Sequence, residues 1–263
     1  SSAIYLASLI APRSAVEEKS PFIVMDYNGY LNRSFDKWYK TAKADEKYKY
    51  DRKDYLGTYN SENDQNPLNA NLNLNKVYII ATGNSYSASE LTLFCLKPYM
   101  NVVHIGSNTG GKYTASWTIH AYDPQKDDQG RARAVTLYDA AKLSETEKNT
   151  LKNWGMQPIV AIYADKDSRN FSSTGHLVPD HALKEGFGDI NCWKPLGDTR
   201  DVFLGQALYL ITGDESYKPV APTTLGTRVT KEVLNHQEEA RPVMIDKMYL
   251  TPDDFKKLRE LQD

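Results

Sequence analysis

The chain has 263 residues, of which 40% are hydrophobic and 25% are charged, and its formal net charge is −2 at pH 7. This composition predicts a globular chain with one sizeable core, because no apolar run approaches the roughly 18 residues that a bilayer span needs. The Lys and Arg residues are dispersed and nearly balanced by Asp and Glu. We therefore expect no nucleic-acid partner.

Hydrophobic periodicity predicts helices and strands that alternate along the chain. The first are a helix at 1–11, ended by Pro12, and a short strand at 21–25. The later ones are strands at 77–81 and 102–105 with a helix at 87–96 between them, strands at 117–122 and 132–138, a helix at 144–154, a strand at 158–163, and a helix at 201–211 with Gly213 as its C-cap. The alternation predicts an α/β layered core.

Three polar stretches interrupt this pattern. Residues 36–75 are rich in Lys, Asp, Asn and Tyr and show little periodicity, which predicts an exposed insertion at one edge of the core. Residues 123–130 are acidic, but they lack the alternating ligands and final Glu of an EF-hand, so a solvated hairpin turn is expected. Residues 216–263 carry prolines and many charges. We therefore predict a core over 1–215 and a carboxy-terminal tail over 216–263.

The cysteines and histidines do not indicate a metal centre. Cys95 lies among apolar residues of the predicted helix and is expected in the core, whereas Cys192 falls in a loop. The histidines show no spacing typical of zinc ligands, and none forms an evident Ser-His-Asp triad; they are His104, His120, His176, His181 and His236. We expect no metal and no cofactor, with His176 and His181 open as neighbours of a site.

The most informative residues are Ser87 and Lys112. Ser87 lies where the strand at 77–81 turns into the next helix, and Lys112 follows two glycines. A serine hydroxyl needs a neighbouring base to become a nucleophile, and a lysine serves as that base only when its surroundings favour the neutral amine. The backbone N–H of Ala88, at the start of the helix, is placed to stabilise an oxyanion.

Two other interpretations of these residues remain open from local pattern alone. Ser87 and Glu90 fit a capping box, in which they only satisfy free N–H groups of an ordinary helix. The segment 106–112 has the glycine and lysine positions of a phosphate-binding P-loop. Tyr113 stands where a P-loop has Ser or Thr, and the residues after it alternate as in a strand, so no bound nucleotide is expected.

The residues 82–91, 101–106 and 110–112 together resemble the core of the carboxyl-terminal processing (tail-specific) serine proteases. The segments 175–180 and 196–201 resemble that family's closing segment. The resemblance implies a ClpP/crotonase-like spiral core of ββα units, with Ser87 as the nucleophile and Lys112 as the general base. It covers most of the chain from residue 1 to about residue 215.

The chain departs from this family's pattern at two places. Many members carry a glutamine four residues after the lysine, where it orients the amine, and here that position is Ser116. The family also has an Asp-Leu-Arg-x-Asn-x-Gly-Gly segment, one glycine of which supplies the second oxyanion donor, just before the helix that residues 1–10 resemble. We therefore expect this chain to be a carboxy-terminal piece of a longer protease that also contains a PDZ-like region.

The resulting expectation is a serine endopeptidase that acts on a polypeptide substrate. The resemblance further implies processing of apolar carboxy-terminal tails, with no cofactor, in the cell envelope or periplasm, where an upstream segment could anchor the protein to the membrane. The alternative is a catalytically inactive scaffold that keeps the protease fold and binds peptides, because Ser116 and the missing upstream segment leave the dyad unassembled.

Overall fold

A computed structural model describes residues 2–122, 135–183 and 194–219. The chain divides into two compact units, one of Ser1–Trp117 with Pro158–Pro222 and one of Thr118–Gln157 with Thr223–Asp263. The predicted boundary at residue 215 stays a prediction. Within the described ranges, no helix has both the length and the apolar character needed to cross a bilayer.

The first unit holds most of the regular structure. Its helices are α1 (Ser2–Ile10), α2 (Arg13–Glu17), α3 (Gly29–Thr41), α4 (Ala88–Cys95) and, last in the chain, α6 (Val202–Thr212). Its strands are β1 (Pro21–Tyr27), β2 (Lys53–Tyr55), β3 (Lys76–Ala81), β4 (Asn101–Gly106), β5 (Thr114–Ser116), β9 (Ile159–Ala164) and β10 (His181–Ala182). Helices and strands alternate, which confirms the predicted α/β class.

Two sheets form the framework of this unit. One has the strand order β2-β1-β9-β5 and is antiparallel throughout. The other has the order β10-β4-β3 and is parallel, with β3 and β4 in continuous register from Lys76 opposite Asn101 to Ala81 opposite Gly106. Parallel neighbours require a crossover connection. Helix α4 lies in the crossover between β3 and β4, so the predicted strand, turn and helix around Ser87 are confirmed.

The core forms where α1 and α4 contact each other. Its fully buried side chains include Phe22, Leu56, Leu93 and Leu96. Each such aliphatic or aromatic side chain contributes roughly 1.5–3 kcal/mol relative to an exposed position. Leu56, the residue after β2, lies within the stretch predicted to be an exposed polar insertion, so that stretch contributes at least one side chain to the core.

Helix α3 was not predicted from the sequence. Asn28 caps its first turn by accepting the Leu31 N–H at 3.1 Å, and none of its residues is buried. Its apolar residues Leu31, Phe35 and Trp38 nevertheless follow helical i, i+4, i+7 spacing. That spacing behind an asparagine N-cap was the available signal, and the surrounding polar residues obscured it.

The second unit contains a small sheet and one helix among its described residues. The strands are β6 (Ile119–His120), β7 (Val135–Thr136) and β8 (Gly155–Met156), in the order β7-β6-β8, and the helix is α5 (Glu145–Leu151). The predicted strand at 117–122 is shorter than expected, because Trp117 pairs outside this sheet and donates its N–H to the Pro158 carbonyl at 3.3 Å. The acidic stretch 123–130 and the residues 132–134 lie outside the described residues, as does Cys192.

Two predicted elements are shorter in the structure: the helix predicted at 144–154 ends at Leu151, and the strand predicted at 132–138 is described only from residue 135, as Val135–Thr136. Two others agree with their predicted bounds. Strand β9 and helix α6 lie within one residue of the predicted positions. Gly213 ends α6 with a φ of 73° and donates its N–H to the Tyr209 carbonyl at 2.8 Å. A positive φ at this position is the usual helix-ending geometry of glycine.

Candidate active site

The backbone at Ser87 has an unusual conformation. Its φ is 55° and its ψ is −112°, at the residue immediately before α4. A residue with a side chain in this region costs on the order of 1–3 kcal/mol, and such strain is concentrated at functional sites. The same strand-to-sharp-turn-to-helix geometry exposes the nucleophilic serine in α/β-hydrolases. The geometry is therefore suited to a nucleophile.

The start of α4 supplies a candidate oxyanion donor. Ala88 is the first helical residue, so its N–H has no partner within the helix. Ala88 is exposed, and together with Ser87 it lines an open cavity. An N–H in this position, at the positive end of the helix dipole, can stabilise negative charge that develops on a carbonyl oxygen.

Lys112 lies in the loop between β4 and β5. Strand β5 begins two residues after it, at Thr114, and pairs with β9. A P-loop requires a helix at this point so that its N-terminus faces the phosphates. The strand removes the P-loop interpretation. The Lys112 side chain is exposed, and its ammonium forms no ion pair with any described residue.

One cavity of about 530 Å³ brings the predicted site residues together. Ser87, Ala88, Lys112 and Ser116 all contribute to its lining. The rest of its wall is mainly apolar. The apolar residues are Ala3, Ile4, Ile23, Met25, Leu91, Ala115 and Tyr163, and the further polar residues are Ser2, Asp54 and Thr114. Within the described residues, no hydrogen bond joins the Ser87 hydroxyl to the Lys112 amine. The roles of these four residues stay predictions.

Ser116 lies at an irregularity of β5. The register of its pairing with β9 shifts between Ala115 and Ser116, because β9 has one extra residue there, Val160. Thr114 also lines the cavity and lies two residues after the lysine. A hydroxyl near Lys112 is thus available from two residues, of which the sequence reasoning considered Ser116 alone.

Glu90 joins the serine turn to the lysine loop. It is fully buried, with 0% of its surface exposed. Its Oε2 accepts the Ser87 N–H at 2.9 Å, as in the predicted capping box, and also the Lys112 N–H at 2.8 Å. Its Oε1 accepts the Gly111 N–H at 2.8 Å and the Thr109 hydroxyl at 2.5 Å. The cap interpretation is correct but incomplete, because the same carboxylate bonds both candidate dyad segments.

Further contacts hold the two loops and a third segment together. The Gly110 N–H donates to the Ser85 carbonyl at 2.9 Å. Thr109, itself buried, accepts the Leu177 N–H on its hydroxyl at 2.9 Å and donates its own N–H to the Leu177 carbonyl at 3.1 Å. The segment 175–180, which the resemblance named as a closing segment, therefore contacts the lysine loop directly.

Burial alters the ionisation of groups in and beneath the cavity. Desolvation raises the pKa of Tyr163 well above its usual range, with nearby Glu90 adding to the effect, so its phenol stays protonated. The Tyr163 hydroxyl is buried and has no hydrogen-bond partner among the described residues. Desolvation likewise raises the pKa of the Cys95 thiol, which keeps it an unreactive core residue, as predicted. Although Asp54 as a residue is exposed, desolvation of its carboxyl group raises its pKa.

None of the described histidines lines this cavity. His104 is buried in β4, with Nε2 3.1 Å from the Ala81 carbonyl, and His120 is in β6. His181 pairs with Ile105 in the parallel sheet, and His176 is half-buried beside the lysine loop. Across the described parts of the chain, no group of three or more His, Cys, Asp or Glu residues could hold a metal ion. His236 lies outside the described residues.

Comparison with known proteins identifies the family. No curated protein matches the chain significantly. Among solved structures, the 2.00 Å crystal structure of a Bacteroides fragilis NCTC 9343 protein assigned to the S41 proteases matches with 21% identity and a TM-score of 0.49, covering 80% of this chain and 41% of that one. This chain thus spans about two fifths of the length of that protein. The profile of peptidase family S41 matches residues 29–162, just over half of the chain, and the chain belongs to that family.

Proposed function

We propose that this chain carries the catalytic residues of a serine endopeptidase, with Ser87 as nucleophile and Lys112 as general base. The observation that carries the proposal is geometric. Ser87, in a strained turn at the start of α4, lines the same cavity as Lys112, and one buried carboxylate bonds the backbone of both residues. Membership of the S41 peptidase family supports the same reaction class.

In the first half of the proposed reaction, the Ser87 Oγ attacks the carbonyl carbon of the scissile peptide bond. The neutral Lys112 amine takes the hydroxyl proton as the C–O bond forms. Negative charge moves to the carbonyl oxygen, where the Ala88 N–H stabilises it. The Lys112 ammonium then protonates the leaving amine, the C–N bond breaks, and an acyl-enzyme ester on Ser87 remains.

In the second half, water replaces the amine product. Lys112, neutral again, takes a proton from that water, whose oxygen attacks the ester carbonyl. The tetrahedral intermediate collapses, the proton returns to the Ser87 Oγ, and the carboxylic acid product leaves. Throughout, a hydroxyl of Ser116 or Thr114 accepts an N–H of the amine and so keeps the Lys112 lone pair directed at Ser87.

The lining of the cavity supports an extended polypeptide substrate with apolar side chains. Ile23, Met25 and Leu91 contribute apolar surface beside Ser87. An apolar side chain next to the scissile bond would bury its surface there at roughly 25 cal/mol per Å². We extend the proposal to the carboxy-terminal tails of proteins and to a place in the cell envelope or periplasm, as the resemblance implies.

The test is cleavage of an unfolded reporter protein by the full-length protein and its variants. We expect Ser87→Ala to lower kcat/KM by at least about a thousandfold, because the nucleophile is lost. Ser89→Ala is the matched control: Ser89 is an exposed serine two positions away, outside the cavity lining, and that variant should keep wild-type activity. Equal cleavage by the Ser87→Ala variant would contradict the proposal.

A second candidate is an inactive, peptide-binding scaffold. It is favoured by the missing hydrogen bond between Ser87 and Lys112 and by a serine in place of the lysine-orienting glutamine. This candidate predicts that the wild-type protein binds the reporter without cleaving it. Binding measured by fluorescence anisotropy, with no product formed in the same sample, would establish it.

A further inference from the structure

Glu90 is a buried charge with an unusual set of partners. A carboxylate removed from water is costly unless hydrogen bonds or an opposite charge compensate it. Within the described residues Glu90 has no ion pair, and its compensation comes from four donors, three of them backbone N–H groups. Backbone donors cannot move without moving the chain, so they fix the loops that carry them.

The hydrogen bonds from those donors connect the backbone segments of the two proposed dyad residues. Oε2 accepts from the N–H groups of Ser87 and Lys112, so a single oxygen atom lies within 2.9 Å of both backbone nitrogens. Oε1 accepts from Gly111 and Thr109 in the lysine loop. Hydrogen bonds to an ionised acceptor contribute about twice as much as neutral ones. The carboxylate therefore sets the spacing between the two backbone segments.

The chain contains a matched example of a capping box that does nothing more. In α5, Glu147 lies three residues after Ser144, as Glu90 does after Ser87. Glu147 is exposed, and its Oε2 accepts the Ser144 N–H at 2.8 Å and the Ser144 hydroxyl at 2.6 Å. Among the described residues, its hydrogen bonds stay within its own turn. Burial and the bonds to a second loop distinguish Glu90 from an ordinary cap.

Thr109 extends this connection to a third segment. Its hydroxyl donates to Glu90 and accepts from the Leu177 N–H. Because the hydroxyl has one proton, its donation to the carboxylate leaves its lone pairs free for Leu177, so the two bonds are compatible. Glu90 and Thr109 thus link the serine turn, the lysine loop and the segment at 175–177.

We propose that Glu90, assisted by Thr109, is a positioning residue that sets the distance and orientation between Ser87 and Lys112. The inference rests on the proposed function of the dyad. Glu90 does not contact substrate in this role and acts only through the backbone. Glutamine cannot replace it, since its NH₂ group would face backbone donors and its one oxygen cannot accept four hydrogen bonds.

The test compares kcat and KM for the reporter in four variants, at a temperature well below each variant's Tm. Glu90→Gln should lower kcat by about 100-fold or more, the effect of a displacement near 1 Å between reacting groups, with little change in KM. Glu147→Gln is the matched control and should leave both constants unchanged. Thr109→Val should lower kcat by about tenfold, and Thr109→Ser, which keeps the hydroxyl, should restore it.

Each outcome decides the inference. If Glu90→Gln does not fold, the Thr109→Val and Thr109→Ser pair decides, because valine matches threonine in shape and serine restores the bond. A folded Glu90→Gln variant with wild-type kcat would overturn the positioning role. If Glu90→Gln does not fold, wild-type kcat in Thr109→Val would overturn it. Either result leaves the dyad itself intact as long as Ser87→Ala is inactive. If Ser87→Ala is fully active, the proposed function itself fails and the inference falls with it.

Discussion

Two regions of the first unit are held together in contrasting ways. The serine–lysine segment, residues 76–112, contains fully buried side chains, among them Glu90, Leu93, His104 and Ile105. The aromatic segment, residues 29–50, contains α3, in which no residue is buried. The first region is fixed from within by apolar packing and buried hydrogen bonds. The second lies on the surface.

The aromatic segment makes ring contacts, ion pairs and hydrogen bonds, such as those that Asn32 donates to Asp26 and to the Tyr27 carbonyl. The Phe35 ring stacks on Tyr27 at 4.8 Å and meets Trp38 edge-on at 5.3 Å between centroids. Arg52 and Asp36 form an ion pair at 2.9 Å. Aromatic pairs add about 0.5–1.5 kcal/mol each, and exposed ion pairs about 0–1 kcal/mol. Each of these contacts contributes less than the burial of a large core side chain.

The difference shows where the fold needs a rigid backbone. The proposed dyad would require two side chains at a fixed separation, and therefore a backbone held by directional bonds in the segment that contains Ser87 and Lys112. None of the predicted site residues lies in the aromatic segment, and no residue of that segment lines the cavity. Mutations should therefore have much larger effects in the serine–lysine segment than in the aromatic segment.

The largest contrast is expected between two truncations of large side chains. Leu93→Ala should lower the free energy of unfolding by about 3–5 kcal/mol, because it opens a cavity in a fully buried position. Trp38→Ala, at a position that is 43% exposed, should lower it by about 1 kcal/mol. Urea denaturation followed by circular dichroism measures both. Equal losses would mean that the aromatic segment is as tightly packed as the core.

The lysine loop offers a sharper test at a single glycine. Gly111 has a φ of 84°, and a Cβ there would lie 2.1 Å from the Gly175 carbonyl oxygen. Gly111→Ala should therefore destabilise the fold by about 2–4 kcal/mol, through both the backbone conformation and the collision.

The matched control is Gly213, which has a φ of 73°. A Cβ added there would meet no atom of the described residues within 4 Å. Gly213→Ala should destabilise by about 1–2 kcal/mol, the conformational part alone. If both variants lose the same free energy in thermal denaturation, the close approach of Gly111 to Gly175 does not constrain the loop.

The smallest expected change in the free energy of unfolding comes from the one substitution that should not destabilise the fold. Tyr163→Phe removes a buried hydroxyl that has no partner in the described parts of the chain, so the free energy of unfolding should stay the same or rise by up to about 1 kcal/mol. Tyr78→Phe is the control, because the Tyr78 hydroxyl donates to the Leu210 carbonyl at 3.2 Å, and its loss should destabilise by about 1 kcal/mol. Destabilisation by Tyr163→Phe in the same assay would reveal a bond to that hydroxyl.

Much of the framework around the site could be predicted from the sequence. The strand, turn and helix around Ser87 follow from a β-branched run, Gly83 and an apolar helix, and these local signals agree with the tertiary structure. The strand after Lys112 followed from alternation and correctly excluded a P-loop. Helix α3 was missed because its apolar residues lie on the surface among charges, so the periodic signal was weak.

The central feature of the site could not be predicted. The sequence shows that Glu90 can cap its own helix, since that contact spans three residues. Its bonds to Thr109, Gly111 and Lys112 depend on how the loop after β4 folds back, which is a tertiary contact without a local pattern. The strained φ of Ser87 and the register shift before Ser116 are likewise set by packing.

The most direct test of the account is covalent labelling of the native protein with a fluorophosphonate probe, followed by mass-spectrometric mapping of the adduct. Only a serine activated by a neighbouring base reacts readily with such a probe. The account predicts one adduct, on Ser87, that is lost in Lys112→Met and in the unfolded protein. No adduct on Ser87, or equal labelling of Ser87 in the Lys112→Met variant, would contradict the Ser87 and Lys112 dyad.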